Sequence, residues 1–96
     1  MFNNYYRLAL IRWENENTYS DTIYVDLCIR TPKFRTLNRA IKWLHKHEDK
    51  LLDLFDAEER KECIAIDCDI ERWDKQDNIT IVYSTEIYPC SIKLTN

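Results

Sequence analysis

The chain contains no glycine. Turns that need a positive φ must therefore be built from Asn or Asp, and loops that cradle phosphate on glycine backbone are excluded, so no P-loop or dinucleotide fingerprint exists. Proline is scarce, with two residues, and no apolar run approaches the roughly 20 residues that span a bilayer. The opening MFNNYYRLALIRW lacks a basic stretch ahead of a long apolar block and a small-residue cleavage site, so a signal peptide is not expected. A cytoplasmic location follows as the expectation, with Cys28, Cys63, Cys68 and Cys90 as reduced thiols. An excess of positive charge is also missing. Against 14 Lys and Arg stand 17 Asp and Glu, which argues against a general polyanion binder and confines any nucleic-acid contact to a local patch.

What is present fits one α+β domain over residues 1–96, large enough for a single core. The longest periodic stretch, Thr36 to Phe55, predicts one helix. Leu37, Ala40, Ile41, Leu44, Leu51, Leu52 and Phe55 share one side of it, and Thr36 is placed to cap its N-terminus. Arg39, Lys42, Lys46 and Lys50 line the other side as a basic ridge, which Arg35 extends. Glu48 projects onto the apolar stripe, where a lone carboxylate is costly, so either Glu48 is paired or the helix is bent or restarted near His47 to Asp49; a local break or an exposed patch is the favoured expectation.

Strands are predicted on either side of the helix. Tyr5 to Trp13 is rich in aromatic and aliphatic residues, and Thr22 to Arg30 alternates with Ile23, Val25, Leu27 and Ile29 inward. Cys63 to Arg72 places Ile64, Ile66, Cys68 and Ile70 inward, and Ile79 to Tyr88 places Ile79, Ile81, Tyr83 and Ile87 on one face. Asn78 is the candidate for left-handed backbone in the turn between them, and Ser91 to Leu94 for a short fifth strand. The expected architecture is an antiparallel sheet of four or five strands in the order ββαββ, with one long helix packed across one face.

Candidate chemistry is sparse. The cysteines lack CxxC-like spacing and His45 and His47 lie about 200° apart on a helix, so zinc is not expected, nor any other cofactor. Asp67, Asp69 and Glu71 share a strand face and are the residues on which a metal-dependent hydrolase would be built. Cys28 or Cys90 with His45 would need a third group to orient the base.

Charge segregation is more informative. Between Arg30 and Lys50 the charges are mostly basic, and beyond Leu51 they are mostly acidic. The first reading is a non-enzymatic protein-binding module whose acidic side, Glu58, Glu59, Glu62, Asp67, Asp69, Glu71, Asp74 and Asp77, docks on a basic, nucleic-acid-binding surface of a partner. The alternative is a nucleic-acid-binding domain that uses Arg35, Arg39, Lys42, Lys46 and Lys50 on phosphates, with Trp43 or a nearby tyrosine stacking. Tyr24, Cys28, Val82, Tyr88 and Trp13 make the outward sheet positions more apolar than a solvated face requires, as a protein interface or a homodimer would. Richness in Ile, Asn, Lys and Tyr is what AT-rich coding produces and points to a phage, plasmid or AT-rich bacterial source. In size and charge alone, the chain resembles small acidic phage inhibitors of the anti-CRISPR and anti-restriction kind, which carries over no functional residue.

Overall fold

A computed structural model describes residues 4–20 and 22–88. In chain order the elements are β1 (Tyr5–Trp13), β2 (Ile23–Tyr24), α1 (Val25–Cys28), α2 (Leu37–Lys46), α3 (Glu48–Leu52), α4 (Ala57–Lys61), β3 (Ala65–Trp73) and β4 (Ile79–Tyr88). The strands form one antiparallel sheet in the spatial order β2-β1-β3-β4, with the helices against one face. Among the described residues no helix is long and apolar enough to cross a membrane. The proposed fifth strand, Ser91 to Leu94, lies outside the described residues, as do Pro89 and Cys90.

The α+β class and antiparallel sheet agree with the expectation, but the single long helix and the simple ββαββ order do not. The helix divides at His47, whose φ of −120° and ψ of 27° end α2 and begin α3. Its N–H donates to the carbonyls of both Leu44 and Trp43, which closes the first segment. Two costs of a continuous helix are removed at once. Glu48 swings off the apolar stripe to meet His45, and the charge order stops opposing the macrodipole: His45 and Lys46 now sit in the last turn of α2, and Glu48 and Asp49 in the first turn of α3. Thr36 caps α2 as expected, its side chain accepting from the Arg39 N–H at 3.2 Å. The connector after Phe55 contains a further helix, α4, held by a reciprocal capping box between Asp56 and Glu59.

The second correction concerns Thr22 to Arg30, where pairing with β1 stops after two residues and α1 follows. Val25 and Ile29 share a side under either a strand or a helical period, and both turn inward; Leu27 belongs with them only in a strand. In the structure Leu27 is 76% exposed while Val25 is 1% exposed, and the Ile29 N–H donates to the Val25 carbonyl.

The core lies between the inner face of the sheet and the helices. It gathers Leu8 and Leu10 from β1, Ile66, Cys68 and Ile70 from β3, and Ile87 from β4, under Val25, Phe34, Ala40, Leu44, Leu51 and Phe55. β4 has the predicted bounds but not the predicted single face. The register skips Val82 between the pairs Ile70–Tyr83 and Glu71–Ile81, and skips Ile87 between Ile66–Tyr88 and Asp67–Glu86. Each bulge flips the alternation, so Ile79 and Ile81 end on the face away from the helices while Tyr83 and Ile87 face them. The missing glycine is answered by Asp77, not Asn78, with φ of 62°. Its turn is pinned by the Asp74 carboxylate, which accepts from the backbone N–H groups of Gln76 and Asn78.

These assignments separate two substitutions that the alternating-strand reading would treat alike. Leu44→Ala, at a fully buried side chain, is expected to cost about 2–5 kcal/mol. Leu27→Ala is expected to cost less than about 0.5 kcal/mol. Urea denaturation of both variants measures the difference.

Candidate functional site: the open face of the sheet

The face of the sheet away from the helices is organised by β3. Strand alternation sends Asp67, Asp69, Glu71 and Trp73 to this side, and the β1 register sets Tyr5 beside Trp73, Arg7 beside Glu71, Ala9 beside Asp69 and Ile11 beside Asp67. From β4 come Ile79, Ile81, Ser84 and Glu86, and from β2 Tyr24, opposite Ala9. The result is a row of carboxylates running between two aromatic ends.

The acid row is not the solvated strip that alternation alone suggests. Asp69 is 7% exposed and Glu71 9%, and every member has a hydrogen-bond donor. The Trp13 indole N–H donates to Asp67 Oδ2 at 2.9 Å, the Ser84 hydroxyl to Asp69 Oδ1 at 2.6 Å, and the Trp73 indole N–H to Glu71 Oε1 at 3.0 Å. The Tyr24 hydroxyl also donates to Glu71 Oε2, at 3.4 Å. All of these donors are neutral. The nearby cation, Arg7, is committed elsewhere: its guanidinium pairs with Asp26 at 3.0 Å and stacks over the Tyr24 and Trp73 rings at 4.1 and 5.1 Å. Neutral donors satisfy oxygens without cancelling charge, so the row keeps its negative potential in a half-buried setting.

Burial and neighbouring charge act together on two groups of the face. Burial, followed by the charges of Asp69 and Glu86, pushes the Asp67 carboxyl above its ordinary value, against the opposing pull of the Trp13 indole. Burial and Glu71 likewise push the Tyr24 hydroxyl up, which keeps it a donor.

At one end of the row, Tyr5 and Trp73 stack with ring centroids 6.1 Å apart, next to Ile79 and Ile81, which are 48% and 59% exposed. At the other end Trp13 packs on Tyr19 at 5.0 Å. The outward apolar residues expected from the sequence are therefore partly replaced. Trp13 and Tyr24 are on this face, Cys28 lies on α1, and Val82 is a bulge residue.

The remaining acidic candidates are scattered. Glu58, Glu59 and Glu62 lie in or beside α4, before the start of β3, whereas Asp74 and Asp77 lie in the turn after its end. Nine strand residues separate the two groups, about 27 Å along the strand at 3.4 Å per step. Glu59 is used in the capping box, and the hydrogen bonds that fix the turn, led by that from the Asn78 N–H, hold the Asp74 carboxyl below its ordinary value. The basic candidates Arg35, Arg39, Lys42, Lys46 and Lys50 are all exposed on the opposite side, and none makes an ion pair among the described residues.

Other chemistry finds little geometry. Among the described residues no group of three or more His, Cys, Asp or Glu side chains is placed to hold a metal ion. Cys28, Cys63 and Cys68 are free thiols, the last two buried, and burial raises the Cys68 thiol far above its usual range. His45 does have an orienting group: its Nδ1 meets Glu48 Oε2 at 2.8 Å and its Nε2 meets the Tyr83 hydroxyl at 2.9 Å. This chain of three side chains clasps the helices to β4, and Cys28 takes no part in it; Cys90 lies outside the described residues. A cavity of about 240 Å³ lies between β1 and the Thr31 to Phe34 segment, lined by Tyr6, Leu8, Val25, Phe34, Asp26 and Lys33 among others. It is smaller than the roughly 300 Å³ at which small-molecule sites begin.

The raised Asp67 value carries a pH prediction. A carboxylate held above its unfolded value binds its proton more readily when folded, so its charged form costs stability, and that cost disappears as pH falls through the folded value. Asp67→Asn, which keeps an acceptor for the Trp13 indole, is expected to raise Tm at pH 7. The gain should shrink as pH drops from neutral toward the ordinary aspartate range near 3.9. Thermal melts of both proteins across that window test this.

The chain matches no protein-family model, no curated protein and no solved structure.

Proposed function

We propose that the protein is a non-enzymatic protein-binding module whose open sheet face docks on a basic surface of a partner protein. The observation that carries this reading is the row Asp67, Asp69 and Glu71: three carboxylates, held in place by indole and hydroxyl donors and paired with no cation among the described residues. An arginine or lysine from a partner would supply the charge that the fold leaves out, and the pre-set donors mean that the row need not reorganise to receive it. The flanking residues supply the apolar part of such an interface. Tyr5, Trp73, Ile79 and Ile81 form an exposed or half-exposed cluster at one end, of the residue types that anchor protein contacts.

Within this reading a finer one stands. The partner surface is one that itself binds nucleic acid, and the protein is a small inhibitor or adaptor from a mobile element, acting in the cytoplasm. Its support is the chain's size, its net charge of −3 and the acidic, aromatic-ended face. Compared with the acidic surface expected from the sequence, the site is narrower. Glu58, Glu62 and Asp77 are exposed but distant from one another and serve at most as a periphery.

The test is affinity purification from the native host with the full chain, followed by measurement of the isolated partner. Asp69→Asn and Ile81→Arg are each expected to weaken the partner by about tenfold or more. The partner should also be displaced by its own nucleic acid if the finer reading holds. A partner retained equally by both variants overturns the proposal. A wild-type dimer in sedimentation that Ile81→Arg dissociates, with no other protein bound, would assign the face to a second copy of the chain instead.

A further inference from the structure

On the opposite side of the molecule, we infer that the outer surface of α2 and α3 binds the phosphate backbone of double-stranded DNA. This goes beyond the protein-binding reading and uses none of its residues.

At 100° per residue, Arg39, Lys42 and Lys46 fall within about 60° of one another on α2, and that direction is opposite the buried Ala40 and Leu44. The ridge therefore points straight out from the core. Arg35 precedes it and Lys50 continues it on α3; all five side chains are exposed. None has an ion-pair partner among the described residues, even though acidic side chains stand close in sequence. Glu48 is occupied by His45, and Asp53 by Arg60 at 3.7 Å. Like charges three and four residues apart on a helix repel by roughly 0.2–0.5 kcal/mol per pair, and among the described residues no ion pair to the ridge offsets this. A line of phosphates would remove it.

The structure also decides between the two forms of nucleic acid. Single strands are held by combining cations with an exposed aromatic surface on which bases stack. Trp43 is the aromatic residue that the sequence offers beside the ridge, but it is half-buried between Phe34, at a centroid distance of 5.7 Å, and His47, stacked at 4.2 Å. With His47 stacked on one face of the indole and Phe34 in a T-shaped contact with it, Trp43 is not a free stacking platform for the ridge. What remains is a row of cations on a rigid helix, suited to the denser charge of a duplex and blind to base sequence.

The experiment is fluorescence anisotropy with a labelled duplex of about 20 base pairs, titrated with the full-length protein from about 25 to 200 mM NaCl. Binding is expected with a log–log salt slope of about −4, the value for four to five phosphates. Lys42→Glu with Lys46→Glu should weaken binding at least tenfold at low salt and bring the slope about 2 closer to zero. Lys61→Glu with Lys75→Glu makes the same change in net charge at exposed sites off the ridge and should leave the slope unchanged. Circular dichroism confirms that each variant is folded. Absence of binding at the lowest salt, equal loss in both double variants, tighter binding of a single strand of the same length, or equal competition by polyglutamate would each overturn the inference. Because Asp69→Asn and Ile81→Arg lie on the other face, failure of the protein-binding reading and failure of this one are read from different variants.

Discussion

The structure depends on the alternation of β3. Ile66, Cys68 and Ile70 are fully buried beneath the helices, and Asp67, Asp69 and Glu71 stand between them on the reverse side. A slip of one residue against β1 would exchange the two sets, placing three carboxylates in an apolar core and three apolar side chains outside. The same alternation therefore defines both the foundation of the fold and the charge of its open face, and a substitution that alters one cannot be neutral toward the other. The partners of the acid row reinforce the register. Trp13 reaches Asp67 across 54 residues of sequence, and Tyr24 reaches Glu71 across 47, so the row also ties β1 and β2 to the centre of the sheet.

On the other face, the helical layer shows how a conflict of charge and burial is settled by changing the backbone. A continuous helix from Thr36 to Phe55 would have buried Glu48 and set cations ahead of anions along the dipole. Ending α2 at Lys46 and restarting at Glu48 reverses both effects with one non-helical residue, His47. The apolar residues on the two sides of the break still reach one core, since Leu44 and Leu51 are both fully buried.

Much of this was legible in the residues. Aromatic and aliphatic richness found β1 and the period of two found β3 and β4, the first and last with their observed ends, and alternation placed Ile66, Cys68 and Ile70 correctly. The conflict at Glu48 foretold the break at His47. What stayed hidden shares a physical cause. Val25 and Ile29 fit strand and helix periods equally, so only Leu27 distinguishes α1 from a longer strand, and only in three dimensions. The bulges at Val82 and Ile87 arise from pairing with β3 and leave no local mark. The candidate site was visible as a row of acids but not as a half-buried one. Its donors Trp13, Tyr24 and Ser84 come from three other strands, and hydrogen bonds between distant residues are not written in any window of sequence. The remaining acidic candidates are close in sequence terms to the row, but strand geometry draws them apart.

The clasp from Glu48 through His45 to Tyr83 joins the helical layer to β4. With a neutral ring, Nδ1–H donates to Glu48 and Nε2 accepts the Tyr83 proton; with a protonated ring, both N–H groups donate and the Tyr83 oxygen accepts. A phenol can play either part, so the contact with Tyr83 fits either set of donors and acceptors on the ring. Helix and β4 are thus fastened by a ring whose two nitrogens are both engaged, so the helical layer is tied to the sheet close to the point where it breaks.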